Sequence, residues 1–344
     1  MKQLLNTLYL STNDSYLKLE GETLVLMVDQ VKRGQVPLHH LGSIVCLGRV
    51  MISPKLMARC MQDGRSIVWL DENGRFHARV EGQVSGNVLL RQAQFRVADK
   101  PDVALGLSKA FIAGKLRNSR NVLMRSARDS KNESEKQALT KAAKALAINL
   151  RNVEYADSPA SVLGLEGDAA RVYFEQFNTM IKPQMRSEFE YKGRSRRPPK
   201  DAVNALISFI YALILNDCRS ALETVGLDPQ LGFYHVVRPG RPALALDLLE
   251  EFRAVLGDRL ALTLINRGQL HEKDFEFREG GAVYLNEVGR KTVVFAYQER
   301  KKETLQHPIL EQAVEIGLLP LLQARLLARY LRGDVASYIP FLNK

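Results

Sequence analysis

The chain has 344 residues, 46% of them hydrophobic and 25% charged, the balance of a globular protein with enough core for two domains. Lys and Arg number 49 against 38 Asp and Glu, giving a net charge of +11. That surplus favours a polyanionic partner and, on charge alone, leaves DNA, RNA and an anionic membrane open. The three cysteines, Cys46, Cys60 and Cys218, form neither a CxxC zinc pattern nor a disulfide framework; three reduced thiols in a cytoplasmic protein are expected. Asn6, Thr12, Asn13 and Asp14 interrupt any signal-peptide core, and the longest apolar run, 205–215, is too short to span a bilayer. It reads as a core helix, and no membrane insertion is expected.

In chain order, the first part reads as strands over 8–10, 16–19, 23–28, 44–47, 66–70 and 76–80, split by Asn, Asp and Gly turn signals. The Asp-Glu-Asn-Gly run at 71–74 predicts a hairpin, with Asn73-Gly74 supplying positive φ. One helix interrupts at 54–61, with Ser53 as N-cap and Pro54 in its first turn. From about Gly86 the apolar period changes from 2 to 3.6, predicting helices over 92–99, 103–128, 133–154, 159–180, 201–224, 244–256, 309–316 and 318–331. A β-hairpin is expected within 280–298, from strands at 282–285 and 292–297. The fold class is therefore α+β: a β-rich domain over 1–85, then a larger, mainly α-helical domain over 86–344.

Basic residues cluster twice. Lys115, Arg117, Arg120, Arg125, Arg128, Lys131, Lys136, Lys141 and Lys144 read as a solvated helix face. Arg194, Arg196, Arg197 and Lys200 crowd one loop, where mutual repulsion is costly unless phosphates lie nearby. Arg238 and Arg241 precede the 244–256 helix, whose positive N-terminal end with free N–H groups also suits phosphate.

Glu166 falls in register with Ala170, Tyr173 and Phe177, so a carboxylate lies along an apolar stripe. A buried carboxylate needs a partner, and a metal ion or a helix-start salt bridge would serve. Gly164 and Gly167 beside it would permit close approach of another group. His235 sits among Phe233, Val236 and Val237, as a ligand or as a hydrogen-bonded core histidine. On the late helix Leu248, Leu249, Phe252, Val255 and Leu256 form the core stripe, and Asp247 and Glu250 share the opposite face, with Glu251 further round. One imidazole with two or three carboxylates suits Mg²⁺ or Mn²⁺ rather than structural zinc. Such an ion binds a phosphate oxygen and activates water or a 3′-hydroxyl.

Four blocks carry a family resemblance: Gly-Leu-Glu-Gly-Asp-Ala-Ala at 164–170, Arg-Arg-Pro-Pro at 196–199 with Val-Asn-Ala-Leu at 203–206, Gly-Phe-Tyr-His at 232–235, and Leu-Ala-Leu-Asp-Leu-Leu-Glu-Glu-Phe-Arg at 244–253. With Gln323, Ala324, Arg325 and the closing Tyr-Ile-Pro-Phe at 338–341, the chain resembles the CRISPR spacer-acquisition integrases, the universal adaptation nuclease family. The resemblance implies metal ligands Glu166, His235 and Glu250, with Asp247 assisting as a fourth catalytic residue; the crowding of Arg194, Arg196 and Arg197 and the place of Arg238 and Arg241 before the late helix make these five the expected DNA contacts. It also implies a homodimer formed through the β domain, a small adaptation partner protein, and insertion of short DNA fragments into a repeat array. The family's late acid is often Asp, so the longer Glu250 could shift ligand geometry and let Asp247 share the role. Tyr234 replaces a common aliphatic residue. A nuclease of branched DNA without joining activity, or a non-enzymatic DNA-binding scaffold, are the alternatives.

Overall fold

The computed structural model describes residues 6–71, 74–82 and 88–343. Met1 to Leu5, the expected Asn73 turn position and the expected domain boundary near Gly86 lie outside them.

Eight strands open the chain: β1 (Asn6–Leu10), β2 (Ser15–Glu20), β3 (Thr23–Val28), β4 (Val31–Pro37), β5 (Leu41–Leu47), β6 (Val50–Ile52), β7 (Ser66–Leu70) and β8 (Phe76–Val80), with α1 (Pro54–Gln62) after β6. Ser53 caps α1 by accepting from Leu56 N–H. One sheet has the order β1-β5-β7-β8, the other β4-β3-β2-β6. In the first sheet β5 pairs parallel with β1 and β7, while β8 closes it antiparallel. Strand alternation sends Ile44, Cys46 and Ile67 into a core shared with Leu17, Leu24 and Leu56. Val45, Leu47, Val68 and Leu70 point the other way, into the helical core. That sheet is covered on both faces, which is why β5 and β7 read as continuous apolar runs. The sequence reading missed β4, an edge strand written Val-Lys-Arg-Gly-Gln-Val-Pro, and the three-residue β6.

The helical part comprises α2 (Val88–Ala98), α3 (Pro101–Asp129), α4 (Glu133–Tyr155), α5 (Pro159–Glu175), α6 (Phe177–Met180), α7 (Ala202–Val225), α8 (Ala243–Glu250), α9 (Arg259–Asn266), α10 (Glu287–Lys302) and α11 (Leu319–Arg332). Two short ribbons complete it: β9 (Phe275–Phe277) with β10 (Val283–Leu285), and β11 (Thr304–Gln306) with β12 (Ala313–Glu315). The central element is α7. Asp201 caps it by accepting from Asn204 N–H at 2.7 Å, and Gly226 ends it at φ 91°. Its 24 residues are long and apolar enough to cross a bilayer by length and composition, but Val203, Leu206, Ile207, Ile210, Leu213 and Ile214 are buried in the core. All three cysteines are free and buried.

Several expectations are corrected. The 159–180 helix breaks at Gln176 between α5 and α6. The stretch 292–297 belongs to α10: Asn286 caps that helix, and Val293, Tyr297 and Lys301 bury one face at helical spacing. The partner of β10 is β9, upstream. Residues 309–315 form no helix, because Glu311 takes φ 51° in the turn between β11 and β12. The expected 244–256 helix ends at Glu250 and continues as a π-helical turn, Arg253–Asp258, in which Gly257 N–H reaches back five residues to Phe252 O. A Cβ on Gly257 would lie 2.5 Å from the Tyr211 ring, so only glycine lets α7 approach this turn.

Candidate metal centre

The loop between α7 and α8 folds around one carboxylate. Asp247, fully buried, accepts from Phe233 N–H (2.6 Å) and Tyr234 N–H (3.1 Å) on Oδ2, and from His235 N–H (2.9 Å) on Oδ1. Gly232 makes this wrap possible, since a Cβ there would sit 2.7 Å from the Ala243 carbonyl carbon and 2.8 Å from Asp247 Oδ2. The same Oδ1 lies 2.7 Å from His235 Nδ1. With the carboxylate ionised, Nδ1 is the protonated ring nitrogen, and Nε2 presents its lone pair 3.7 Å from Glu250 Oε1. Asp247 therefore holds the histidine. Four donors engage its two oxygens.

Glu250 closes α8 and is 3% exposed. Burial pushes its carboxyl upward, but Arg253, Lys115 and His235 outweigh that and hold it at about 2. Its Oε2 lies 2.8 Å from Lys115 Nζ and 2.9 Å from Arg253 Nε, an ion pair to each. Lys115, from α3, also ion-pairs with Glu166 on α5. Tyr234 OH stands 3.4 Å from Glu166 Oε2; burial and the neighbouring acids raise its pKa, so it stays a neutral donor. Gly164 and Gly167 face open space, and among the described residues no group makes the close approach expected of them.

Glu251 turns the other way. It accepts from Gln323 Nε2 (3.0 Å), Phe341 N–H (2.6 Å) and the Tyr338 hydroxyl, and burial pushes its carboxyl to about 7. Asn118 of α3 donates to Glu251 O and Phe341 O, both at 2.8 Å. The closing segment thus clamps the elements that carry Lys115 and Glu250.

The residues present fit a divalent ion. They offer the carboxylates of Glu166 and Glu250 and an imidazole whose Nδ1 is held by Asp247, which leaves Nε2 on the Glu250 side. Among the described residues no three His, Cys, Asp or Glu side chains converge closely enough to hold an ion as they stand. The Lys115 ammonium lies between Glu166 and Glu250 instead.

The expected DNA-contact arginines divide. Arg196 and Arg197 are exposed, and Arg196 lines a small cavity of about 30 Å³ with Lys115 and Arg253. Arg194 turns inward: its guanidinium donates to Asn204 Oδ1 (2.6 Å) and Ser195 O (2.9 Å) and lies 5.8 Å from the Phe174 and Tyr211 ring centres. Its charge is already used in packing. Arg238 is exposed and Arg241 half-buried, but the free α8 N-terminus expected beside them is not there, because Pro229 O accepts from Leu244 and Ala245 N–H.

Sequence reasoning overlooked Lys115, Arg253 and the Glu251 clamp. Lys115 carried a readable signal. It shares a face of α3 with buried Phe111 and Ser119, so its charge lies on an apolar stripe just as that of Glu166 does.

Residues 8–299 match the family model described as CRISPR associated protein Cas1. A CRISPR-associated endonuclease Cas1 of Moorella thermoacetica is 51% identical over 344 residues, all of both chains. The fold is shared with a casposase bound to an integration product (TM-score 0.83, 20% identity, 98% of this chain and 94% of that one). It is shared too with a Cas6-RT-Cas1–Cas2 complex (TM-score 0.82, 22% identity), where this chain is covered fully but spans 37% of the other. By the extent of the family match and by full-length identity to a curated relative, the chain belongs to the CRISPR-associated Cas1 family.

Proposed function

We propose that this chain is a DNA endonuclease and strand transferase dependent on Mg²⁺ or Mn²⁺, inserting short DNA fragments into a CRISPR repeat array. The observation that carries the reading is the arrangement of Glu166, His235 Nε2 and Glu250 around two cations, Lys115 and Arg253. The endonuclease name of a full-length relative at 51% identity supports action on DNA.

Glu166, His235 and Glu250 would hold the ion, which supplies Lewis-acid stabilisation of phosphate charge and an activated hydroxyl or water. Asp247 orients the imidazole, Tyr234 offers a neutral O–H beside Glu166, and Lys115 and Arg253 offset negative charge at the reacting phosphate. In joining, the bond from the incoming 3′ oxygen to phosphorus forms as the bond to the leaving oxygen breaks. The proton lost by the first is matched by the proton gained by the second, so the number of phosphodiesters is conserved. Water as nucleophile gives cutting instead. The four family motifs hold no serine or cysteine, and burial and the neighbouring acids keep their one tyrosine, Tyr234, protonated, which speaks against a covalent protein–DNA intermediate. Joining two ends at a set spacing needs two active centres, which a homodimer with a small partner protein provides.

The test uses a donor duplex, a repeat-containing target and the partner protein. Donors with free 3′-hydroxyls should be joined, and those with dideoxy or 3′-phosphate ends should not, although branched DNA is still cut. Glu166→Gln, His235→Ala and Glu250→Gln should each abolish both reactions while DNA affinity persists. Cutting without joining identifies a nuclease of branched DNA; neither reaction, with DNA binding intact, identifies a scaffold.

A further inference from the structure

Residues 338–343 have no regular secondary structure, so their backbone groups must find partners elsewhere. Four side chains serve them. Asn118 of α3 donates to Phe341 O and accepts from Asn343 N–H, both at 2.8 Å, and three residues on Asn121 donates to Asn343 O. Gln323 of α11 donates to Ile339 O at 3.2 Å, and Glu251 accepts from Phe341 N–H at 2.6 Å. The Tyr338 hydroxyl ties the last two together, donating to Glu251 and accepting from Gln323 Nε2 at 3.0 Å. Asn118, Glu251 and Gln323 are fully buried.

The segment is packed as closely as it is bonded. The Tyr338 ring centre lies 5.3 Å from that of Phe111, and the Phe341 ring 5.9 Å from that of Phe252. A Cβ on Gly114 would stand 2.9 Å from Pro340 Cβ and 3.4 Å from Glu251 Cγ, so α3 meets both at that point. Lys115 therefore sits between two contacts of the segment, Gly114 and Asn118, and Glu250 directly precedes a third, Glu251. Apolar contact alone is non-directional, whereas a buried hydrogen-bond network fixes distances. The distance fixed here is that between α3 and the end of α8, which Lys115 Nζ and Glu250 Oε2 span at 2.8 Å. The ion pair of Lys115 with Glu166 carries it on to α5.

We propose that Glu251 and Tyr338 are positioning residues for the candidate metal centre. Through segment 338–343, with Asn118 and Gln323, they brace α3 against α8 and so set the spacing of Glu166 and Glu250. The proposal rests on the reading of that cluster as a metal centre. Glu251 and Tyr338 bond to each other and to the segment rather than to the three candidate ligands, so their effect is transmitted through the helices. Glu166 and Glu250 come from different helices, and α3 packs against both. A ligand set needs to be held to within about 0.5 Å, which a brace on α3 provides and the ligands themselves do not.

The test uses the full chain, with Y338F and E251A as disrupting variants and E251Q as the conservative one. I67V, in the separate core of the β domain, controls for stability. Two quantities are read: the Mn²⁺ dissociation constant by calorimetry well below each melting temperature, and the rate of reductive methylation of Lys115 in chelator, followed by mass spectrometry. Y338F and E251A should raise the constant about 10-fold, the lower end for partners behind metal ligands, and should speed labelling of Lys115. E251Q, which still accepts from Phe341 N–H and Gln323, should fall between wild type and E251A. I67V should lower the melting temperature and move neither quantity. If E251A does not fold, Y338F decides. Wild-type labelling of Lys115 in Y338F overturns the proposal, as does an unchanged Mn²⁺ constant where the wild type binds the ion. If the wild type binds no Mn²⁺ while labelling still responds, the reading of the cluster as a metal centre has failed and the positioning has not.

Discussion

His235 Nδ1 lies 2.7 Å from Asp247 Oδ1, and this contact decides which ring nitrogen faces Glu250. The pair is built into the backbone, since the same carboxylate also accepts three consecutive N–H groups. Asp247→Asn keeps the shape but removes the charge that fixes the tautomer. Metal affinity should fall roughly 10–100-fold, as for loss of a partner behind a ligating histidine. Calorimetric titration with Mn²⁺ measures this. If Asp247 were itself a ligand, the asparagine variant would lose metal as completely as H235A.

Arg194 and its neighbours should separate experimentally. R194A removes bonds to Asn204 and Ser195 and the packing on Tyr211, so it should cost about 1–3 kcal/mol in urea denaturation. R196Q/R197Q should leave the melting temperature alone and lower the duplex-DNA salt slope by up to about two units. A stable R194A with a flattened slope would place that guanidinium on DNA after all.

Asp258 makes stability depend on pH with a particular sign. Burial raises its carboxyl from 3.8 to about 6, although Tyr211 and Tyr173 donate to it at 2.7 and 3.0 Å. Between those values the folded chain keeps a proton that the unfolded chain has released. Stability therefore falls as pH rises from about 4 to 6, by at most ~1.4 kcal/mol per unit from this group. Above 6 the contribution is constant. Glu250 has the opposite sign: its depressed carboxyl stabilises above about 4.5, and that is lost as pH falls toward 2. Denaturation of wild type and D258N from pH 4 to 7 isolates the first effect, and parallel curves would refute it.

Much of the site was legible because each ligand candidate broke a local rule. Glu166 put charge on an apolar stripe, and Asp247 and Glu250 lay three apart on a helix whose other face was plainly core. What the spacing left open was direction. Asp247 and Glu250 share a helix, yet one serves a loop backbone and the other the cluster around Lys115, because the helix ends at Glu250 and nearly all of it is buried. The π-helical turn after it was unreadable, since a one-residue insertion leaves no compositional mark. The 292–297 segment was misread for a related reason. Thr, Val, Val, Phe, Ala, Tyr is a strand by propensity, and the Asn286 cap with tertiary burial made it a helix. Lys115 was lost among nine basic residues, seven of which are exposed as a solvated helix face requires.

Lys115 gives the last prediction. Its ammonium pairs with Glu166 and lies 2.8 Å from Glu250 Oε2, so it supplies part of the positive charge that those carboxylates need. Of the nearby cations, Arg253 stands 2.9 Å from Glu250, and Glu166 has no other ion pair among the described residues. Replacing the ammonium by a thioether, K115M, leaves Glu166 and Glu250 facing each other with one cation fewer. In chelator the melting temperature should fall, because a part-buried carboxylate has lost its partner. Adding Mn²⁺ should then raise it by more than in wild type, because the incoming ion no longer shares the space with a fixed positive charge, and ligand stabilisation scales with RT ln(1 + [L]/Kd). Activity should nevertheless drop, since the side chain that offsets phosphate charge is gone. Tighter metal with weaker chemistry is the signature of a lysine that competes with the ion and assists the substrate. A smaller Mn²⁺-induced rise in K115M than in wild type would mean that Lys115 helps to assemble the metal centre.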